Sequence, residues 1–161
     1  AIAVLALLTA HVSAQSGAPD PFAGSWRLNV LASTTSWQAH PQPKRAEAVP
    51  QAHGLITMKI DNSTMEYRVE HGSVTGQSQR ATYTASYNDA RWQMVQGAPD
   101  GMFSEVTLVK ISDRLHYWVT RQSGQFAGVT LRRLADDGRS FTSVGIGTDG
   151  YVQFVRVYEK Q

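Results

Sequence analysis

Residues Arg80–Tyr87 read RATYTASY, and this stretch decides the fold class. Its small apolar and aromatic residues alternate one by one with polar residues, in the order Ala81, Thr82, Tyr83, Thr84, Ala85, Ser86, Tyr87. In an extended strand, a period of two places all the apolar side chains on one face. A strand with one apolar and one polar face is typical of an antiparallel sheet that is wetted on one side. The stretch therefore predicts an antiparallel β-strand that buries Tyr83.

The same alternation recurs elsewhere in the chain. An apolar face is formed by every second residue of Met65–Val69 and, in a later segment, by Leu115, Tyr117 and Val119. Turn-forming pairs such as Asp137-Gly138 follow one another at intervals of about 8–16 residues, which leaves no room for crossover helices. The expected strands are 25–31, 53–60, 65–71, 79–88, 91–97, 103–111, 114–121, 125–134, 140–146 and 151–159. Because closure removes exposed edges, we expect an all-β fold, an antiparallel up-and-down β-barrel of about ten strands.

Composition limits the classes of protein to which this chain can belong. The chain has 161 residues, a size typical of one domain, and only 17% of them are charged, with a net charge of +2. Lys44-Arg45 and Arg132-Arg133 are its adjacent basic pairs, whereas a nucleic-acid-binding protein clusters Lys and Arg on one face. The absence of cysteine excludes disulfides, a thiolate metal site and a cysteine nucleophile. We therefore expect no nucleic-acid partner.

The start of the chain differs in character from the rest. Ala1–Ala10 is an uncharged apolar run, and the small residues of Val12-Ser13-Ala14 precede the polar Gln15. This pattern is typical of a cleavable secretory signal, and the run is too short to cross a bilayer. The alternative is an ordinary buried helix. We expect 1–14 to be a signal peptide, 15–21 a linker and 22–161 one barrel domain, exported to the periplasm or extracellular space without integral membrane association.

The segment Leu31–Pro50 (LASTTSWQAHPQPKRAEAVP) interrupts the strand pattern. It holds three prolines, Trp37 and no clean helical period. Long insertions without secondary structure are uncommon and often functional. We expect an ordered loop or lid, in which Trp37 either plugs the barrel mouth or lines a ligand portal. The other tryptophans, Trp26, Trp92 and Trp118, are expected to lie in strands and in the core.

No motif in the chain points to catalysis. Gly145–Gly150 (GIGTDG) has the spacing of a dinucleotide-binding loop, but β-type sequence follows it where that site needs a helix, so we expect a hairpin turn. His40, His53, His71 and His116 fit no metal-binding spacing; His71 is expected to cap a turn and His116 to lie on a barrel face. There is no G-x-S-x-G nucleophile motif. We predict no catalytic residue, no metal and no cofactor.

Three segments resemble a known family. Phe22–Leu28 (FAGSWRL) is similar to the F-x-G-x-W-x-L opening of the fatty-acid-binding proteins, and its G-x-W core is also the lipocalin opening. Arg156–Lys160 (RVYEK) resembles the R-x-Y-E-K ending of the fatty-acid-binding proteins, and Thr130–Arg133 (TLRR) resembles their T-L-x-R segment. The whole chain resembles a calycin barrel, closest to uncharacterised lipocalin-like exported bacterial proteins.

The resemblance implies a ligand and a site. In the fatty-acid-binding family two arginines and a tyrosine inside the barrel hold the ligand carboxylate, and by motif these are Arg133, Arg156 and Tyr158 here. The partner implied is an apolar small molecule or lipid, such as a fatty acid, and the protein is expected to be a monomer. Arg156 has two structural alternatives to a ligand carboxylate, which are the face of Trp26 and an inward carboxylate such as Glu105.

Three functions stay open at the level of the sequence. The first is a binding protein that holds an apolar ligand in the barrel. The second is a structural or interaction protein with a filled barrel, and the third, least favoured, is an enzyme that works in a calycin-type cavity. Fold alone does not decide between them. A cavity on the order of a few hundred Å³ favours binding, whereas a filled interior favours a structural role.

Overall fold

The computed structural model describes residues 19–34, 51–98 and 103–161 of the chain. Within these ranges every regular element is a β-strand. Three expectations concern residues outside these ranges: the signal peptide at 1–14, most of the 15–21 linker, and the loop or lid with Trp37 from residue 35 to residue 50.

Ten antiparallel strands form one sheet. They are β1 Gly24–Thr34, β2 Gln51–Asp61, β3 Thr64–Ser73, β4 Ser78–Ser86, β5 Gln93–Met94, β6 Glu105–Ser112, β7 Leu115–Gln122, β8 Gln125–Leu134, β9 Ser140–Ile146 and β10 Val152–Lys160. Their order in the sheet is β4-β3-β2-β1-β10-β9-β8-β7-β6-β5, so β1 pairs with β10 as well as with β2. Bridges from Thr82 to Gln96 and from Tyr87 to Leu108 join the two ends of this order. The expected all-β, up-and-down barrel is confirmed, and it is nearly closed.

The period of two on β3 and β4 places the apolar side chains inside the barrel. Met65, Tyr67, Ala81 and Tyr83 are all at most 5% exposed. The polar residues between them, such as Glu66, face outward and are exposed. Full burial of a large apolar side chain is worth about 1.5–3 kcal/mol, so this face contributes directly to the stability of the barrel.

The face of strand β7 that points into the barrel is the opposite of the one that its sequence suggested. The expected apolar face of Leu115, Tyr117 and Val119 lies outward and is only partly buried, so that expectation was wrong. The buried residues of the strand are His116, Trp118 and Thr120. Each face of β7 carries an aromatic ring, Tyr117 on one and Trp118 on the other, so alternation does not decide which face is buried. Pairing decides it, because His116 lies directly opposite the buried Arg132 of β8.

The end of β1 and the position of Trp92 also differ from expectation. β1 continues to Thr34, so the segment from Leu31 begins as strand rather than loop. Trp92 lies just before β5 and is partly exposed, with the guanidinium carbon of Arg121 3.8 Å from its ring centre. The expectation of a core position for Trp92 was therefore wrong, because its ring packs under a cation at the surface.

One end of the barrel is closed by residues that precede β1. Phe22 is fully buried, and its ring centre lies 4.3 Å from that of His116. Nε1 of Trp26 donates a 2.9 Å hydrogen bond to the carbonyl oxygen of Phe22. Asp20, at the end of the expected linker, forms a 2.7 Å ion pair with Lys110 of β6. We call this end the closed end and the opposite end, with the β7–β8 and β9–β10 turns, the mouth.

Candidate functional site

A cavity of about 250 Å³ lies in the half of the barrel nearest the mouth. Its polar wall residues are His71, Thr120, Thr130, Arg132, Ser143, Gln153, Arg156 and Tyr158. Its apolar wall residues include Val69, Ala81, Phe103, Trp118 and Phe154. Among the described residues that line it, none is an aspartate or glutamate. The cavity therefore combines two arginines with an apolar surface.

Three neighbouring strands bring these two arginines into one row. Arg132 of β8 and Arg156 of β10 each lie directly opposite Ser143 of β9. Directly opposed residues of antiparallel strands point to the same face, and adjacent strands are about 4.8 Å apart. The two arginines therefore start roughly 10 Å apart on the inner wall, with a small side chain between them. Guanidinium groups placed in this way can reach one anion from two sides.

The arginine of β8 in the interior is Arg132 rather than Arg133. Arg132 is 4% exposed, whereas Arg133 is exposed on the outer face of the barrel. Arg133 was expected inside the barrel, and that expectation was wrong. Adjacent residues of a strand point to opposite faces, so the inward side chain is that of its neighbour Arg132. Arg133 lies opposite Thr142, on the outward face, while Arg132 lies opposite the buried Ser143. Any ligand contact from this strand therefore belongs to Arg132.

The guanidinium of Arg132 reaches across the barrel. Its Nη2 donates a 2.9 Å hydrogen bond to Oη of Tyr67 on β3, and its Nη1 lies 3.6 Å from Sδ of Met58 on β2. Its central carbon is 3.2 Å from the ring centre of Trp118 and 5.3 Å from that of Phe141. Arg132, Tyr67 and Trp118 together form a layer across the interior, which we call the floor of the cavity.

The charge of Arg132 has no anionic partner among the described residues. No carboxylate of that part of the chain forms an ion pair with it, and its buried Nε–H has no hydrogen-bond acceptor there. An arginine side chain stays charged even in a protein interior. The aromatic rings offset part of the desolvation cost, since a desolvated cation–π contact is worth about 2 kcal/mol. The floor thus holds a cation with one buried donor that has no acceptor among the described residues.

Arg156 lies nearer solvent and takes neither of its expected structural partners. It is partly buried, and its central carbon lies 4.1 Å from the ring centre of Phe154. The face of Trp26 is covered instead by Nζ of Lys160, 5.2 Å from the ring centre. Within the described residues no ion pair joins Arg156 to Glu105 or to another carboxylate. Arg156 is therefore a second cation on the cavity wall that is available to a ligand.

Tyr158 and His71 form a hydrogen-bonded pair beside these cations. Tyr158 is 1% exposed, and its Oη lies 2.9 Å from Nε2 of His71. Burial raises the pKa of Tyr158 to about 12, so the phenol keeps its proton. Burial, with the charges of Arg156 and Arg132 and nearby His53, lowers the pKa of His71 to about 3. His71 is therefore neutral near pH 7, and the tautomer with a proton on Nε2 leaves the Tyr158 hydroxyl free to donate.

His71 was expected to cap a turn, and that expectation was wrong. Its ring lies on the inner wall against Gly54 of β2, where a Cβ would approach the imidazole to 2.5 Å. Glycine at this position lets the ring lie flat on the neighbouring strand. The inward position of His71 could have been derived from its spacing in the sequence, because His71 follows Tyr67 and Val69 on the same face of β3.

The side chains that line the cavity are suited to binding an anion. Two cations, one phenol and one neutral imidazole line the cavity, and none of its described wall residues is a carboxylate that could serve as a general base. The described residues contain no group of three or more His, Asp or Glu side chains placed to hold a metal ion. They also contain no helix long and apolar enough to cross a bilayer. Of the string Gly145–Gly150, the first two residues end β9 and the other four lie in the β9–β10 hairpin turn, as expected.

Comparisons with known proteins identify no relative of this chain. No protein-family model matches it, and neither a curated protein nor a solved structure matches it significantly. The ten-stranded barrel is compatible with a calycin-like fold on its architecture alone.

Proposed function

We propose that this protein binds a small, mainly apolar molecule with an anionic head, and that Arg132 and Arg156 hold the head inside the barrel. The observation that carries the proposal is Arg132, a buried arginine at the floor of an open cavity with no carboxylate partner among the described residues. The resemblance to lipocalins and fatty-acid-binding proteins supports the same function. It implies that Tyr158 also holds the ligand carboxylate.

The energetics of a buried charge favour a ligand with a negative head. An unpaired buried ion costs several kcal/mol, and in the described part of the chain Arg132 has only Tyr67, Met58 and aromatic faces to offset that cost. A carboxylate beside Ser143 would lie between Arg132 and Arg156, which both stand opposite this residue, and would accept from both guanidinium groups. Charge-assisted hydrogen bonds of this kind are about twice as strong as neutral ones.

The rest of the cavity suits the apolar part of such a ligand. Val69, Ala81, Phe103 and Phe154 line the wall of the cavity. Apolar contact contributes roughly 25 cal/mol for each Å² removed from water. A molecule with its head at the floor and its apolar body toward the mouth would satisfy both parts of the site. The expected signal at 1–14 supports a role outside the cytoplasm.

A matched pair of variants tests the proposal. Arg132→Met removes the buried cation and keeps most of the apolar volume, while Arg133→Met makes the same change one residue away on the outer face. We expect Arg132→Met to lose affinity for carboxylate ligands by at least about tenfold, without loss of stability, because a binding site keeps its charge at a cost to the fold. Arg133→Met should bind like the parent. Affinity can be measured by calorimetric titration and stability by urea unfolding.

The competing function is a structural barrel without a ligand. It is favoured by the packed interior below the floor, where Trp26, Ile56, Met65 and Phe141 are at most 1% exposed. Native mass spectrometry of protein purified from its own host separates the two functions. A co-purified organic anion supports binding. An empty parent protein that binds no carboxylate, together with an Arg132→Met variant that is less stable by a few kcal/mol, would contradict it.

A further inference from the structure

We infer that the ligand is a compact aromatic carboxylate rather than a long-chain fatty acid. This inference rests on the proposed function and concerns the same cavity. It is carried by the position of the floor, by the cavity volume and by the flat groups on the wall.

The floor divides the barrel interior into two unequal environments. Arg132 of β8 bonds to Tyr67 of β3, and four strands separate β8 from β3 in the sheet, so the bond spans the interior from wall to wall. Trp118 fills the space beside it, with its ring centre 4.8 Å from that of Tyr67. Below this layer the interior is occupied by packed side chains, including Met58 and Phe141. A ligand chain therefore cannot extend toward the closed end.

The space above the floor limits the ligand to a small molecule. Pockets that hold small molecules usually have volumes of about 300–1,000 Å³, so the cavity of about 250 Å³ lies just below the small end of that range. The head and ring of an aromatic carboxylate fit this space. A long-chain fatty acid would leave most of its chain outside the mouth.

The wall of the cavity is built for flat groups. Phe154 lies against Gly145 of the neighbouring strand, and a Cβ at Gly145 would overlap its ring. The guanidinium of Arg156 covers Phe154 from above at 4.1 Å. Phe103 and Trp118 add further rings to the lining. A rigid ring can stack on the outer face of the Arg156 guanidinium, and it loses fewer rotatable bonds on binding than an alkyl chain does.

A series of ligands tests the inference on the intact protein. Cinnamate, octanoate and laurate carry the same head on a ring, a short chain and a longer chain, and cinnamamide is the neutral control for cinnamate. We expect calorimetric titration to give an affinity for cinnamate about tenfold above that for laurate, with octanoate between them and cinnamamide not bound. Tighter binding of laurate or octanoate than of cinnamate would overturn the inference and leave the proposed function standing. If none of the three anions bound, the proposed function would fail.

A variant that enlarges the cavity provides a second, independent test of the inference. Phe154→Ala removes a ring from the wall, and because Phe154 is only partly buried the variant is expected to fold. Its preference should shift from cinnamate toward laurate by about tenfold. Ile111→Ala, an exposed apolar change near the closed end, is the matched control and should keep the preference of the parent. An unchanged preference in Phe154→Ala would contradict a ligand seated against this ring.

Discussion

Nη2 of Arg132 donates a 2.9 Å hydrogen bond to Oη of Tyr67 across the interior of the barrel. The two residues stand on β8 and β3, so this bond ties opposite walls together and closes the cavity from below. It is also one of the few polar contacts that a buried guanidinium has in the described part of the chain. Removing only the acceptor should therefore destabilise the barrel, because the buried cation would stay and lose a partner, whereas Arg132→Met removes the cation as well.

Removing the phenol oxygen isolates that dependence. Tyr67→Phe keeps the ring and takes away the acceptor, which leaves Nη2 of Arg132 without this partner. A hydrogen bond to a charged group contributes about 1.5–3 kcal/mol, so the free energy of unfolding should fall by that amount. Urea unfolding measures it, with Tyr117→Phe on the outer face as the control. Equal stability of the two variants would mean that the bond contributes nothing.

Arg156 should matter for binding and not for the fold. It is partly exposed and forms no ion pair among the described residues, so Arg156→Gln is expected to change the free energy of unfolding by less than about 0.5 kcal/mol. Its affinity for a carboxylate ligand should fall by about tenfold. Arg27→Gln, an exposed change on the outside of β1, is the control. A destabilised Arg156→Gln that binds normally would make Arg156 a structural clasp instead.

Acid should destabilise the barrel through His71. Its pKa is 6.5 in an ordinary environment and about 3 in the folded protein. Between these values the unfolded chain binds a proton that the folded protein does not, so stability that is complete above about pH 6.5 is lost as the pH falls toward 3. Burial also lowers the pKa of His116, to about 4, and its effect has the same sign.

The expected loss between neutral pH and about pH 4 is a few kcal/mol, since one pKa unit corresponds to about 1.4 kcal/mol. Urea unfolding at several pH values measures it. His71→Gln should flatten the dependence, while His53→Gln, on the outer face opposite Gly72, should leave it nearly intact. A slope in His71→Gln as steep as in the parent would show that His71 titrates normally.

Phe22 should be essential to the closed end. Its side chain is fully buried against His116 and Phe141, so Phe22→Ala is expected to cost about 3–5 kcal/mol. Phe126→Ala, at a half-exposed phenylalanine near the mouth, should cost little. Thermal unfolding of both variants checks this. Equal melting temperatures would mean that the residues before β1 do not contribute to the core.

Processing of the N-terminus is a separate prediction. If residues 1–14 are a signal peptide, the mature protein recovered from an exporting host begins at Gln15. Intact-mass measurement on the secreted or periplasmic fraction tests this directly. A soluble cytosolic product that keeps Ala1–Ala14 would contradict both the processing and the export.

Local pattern determined most of the fold of this protein. Alternation such as that of Arg80–Tyr87 and turn pairs at short intervals predicted ten strands in a meander, because side-chain direction in a strand depends only on parity. The same parity identified the face of β10 that carries Arg156 and Tyr158. These features are local, so they can be derived from neighbouring residues in the chain.

The tertiary structure alone decided which arginine of Arg132-Arg133 lies inside, which face of β7 is buried and how deep the cavity runs. Each depends on the register between strands, and a shift of one residue exchanges the inner and outer faces. Arg132 is interior because it pairs with Ser143 and His116, and His71 enters the site because β3 lies across the barrel from β8. The chain by itself therefore determined the barrel, whereas long-range pairing decided the charge inside it and the floor of its cavity.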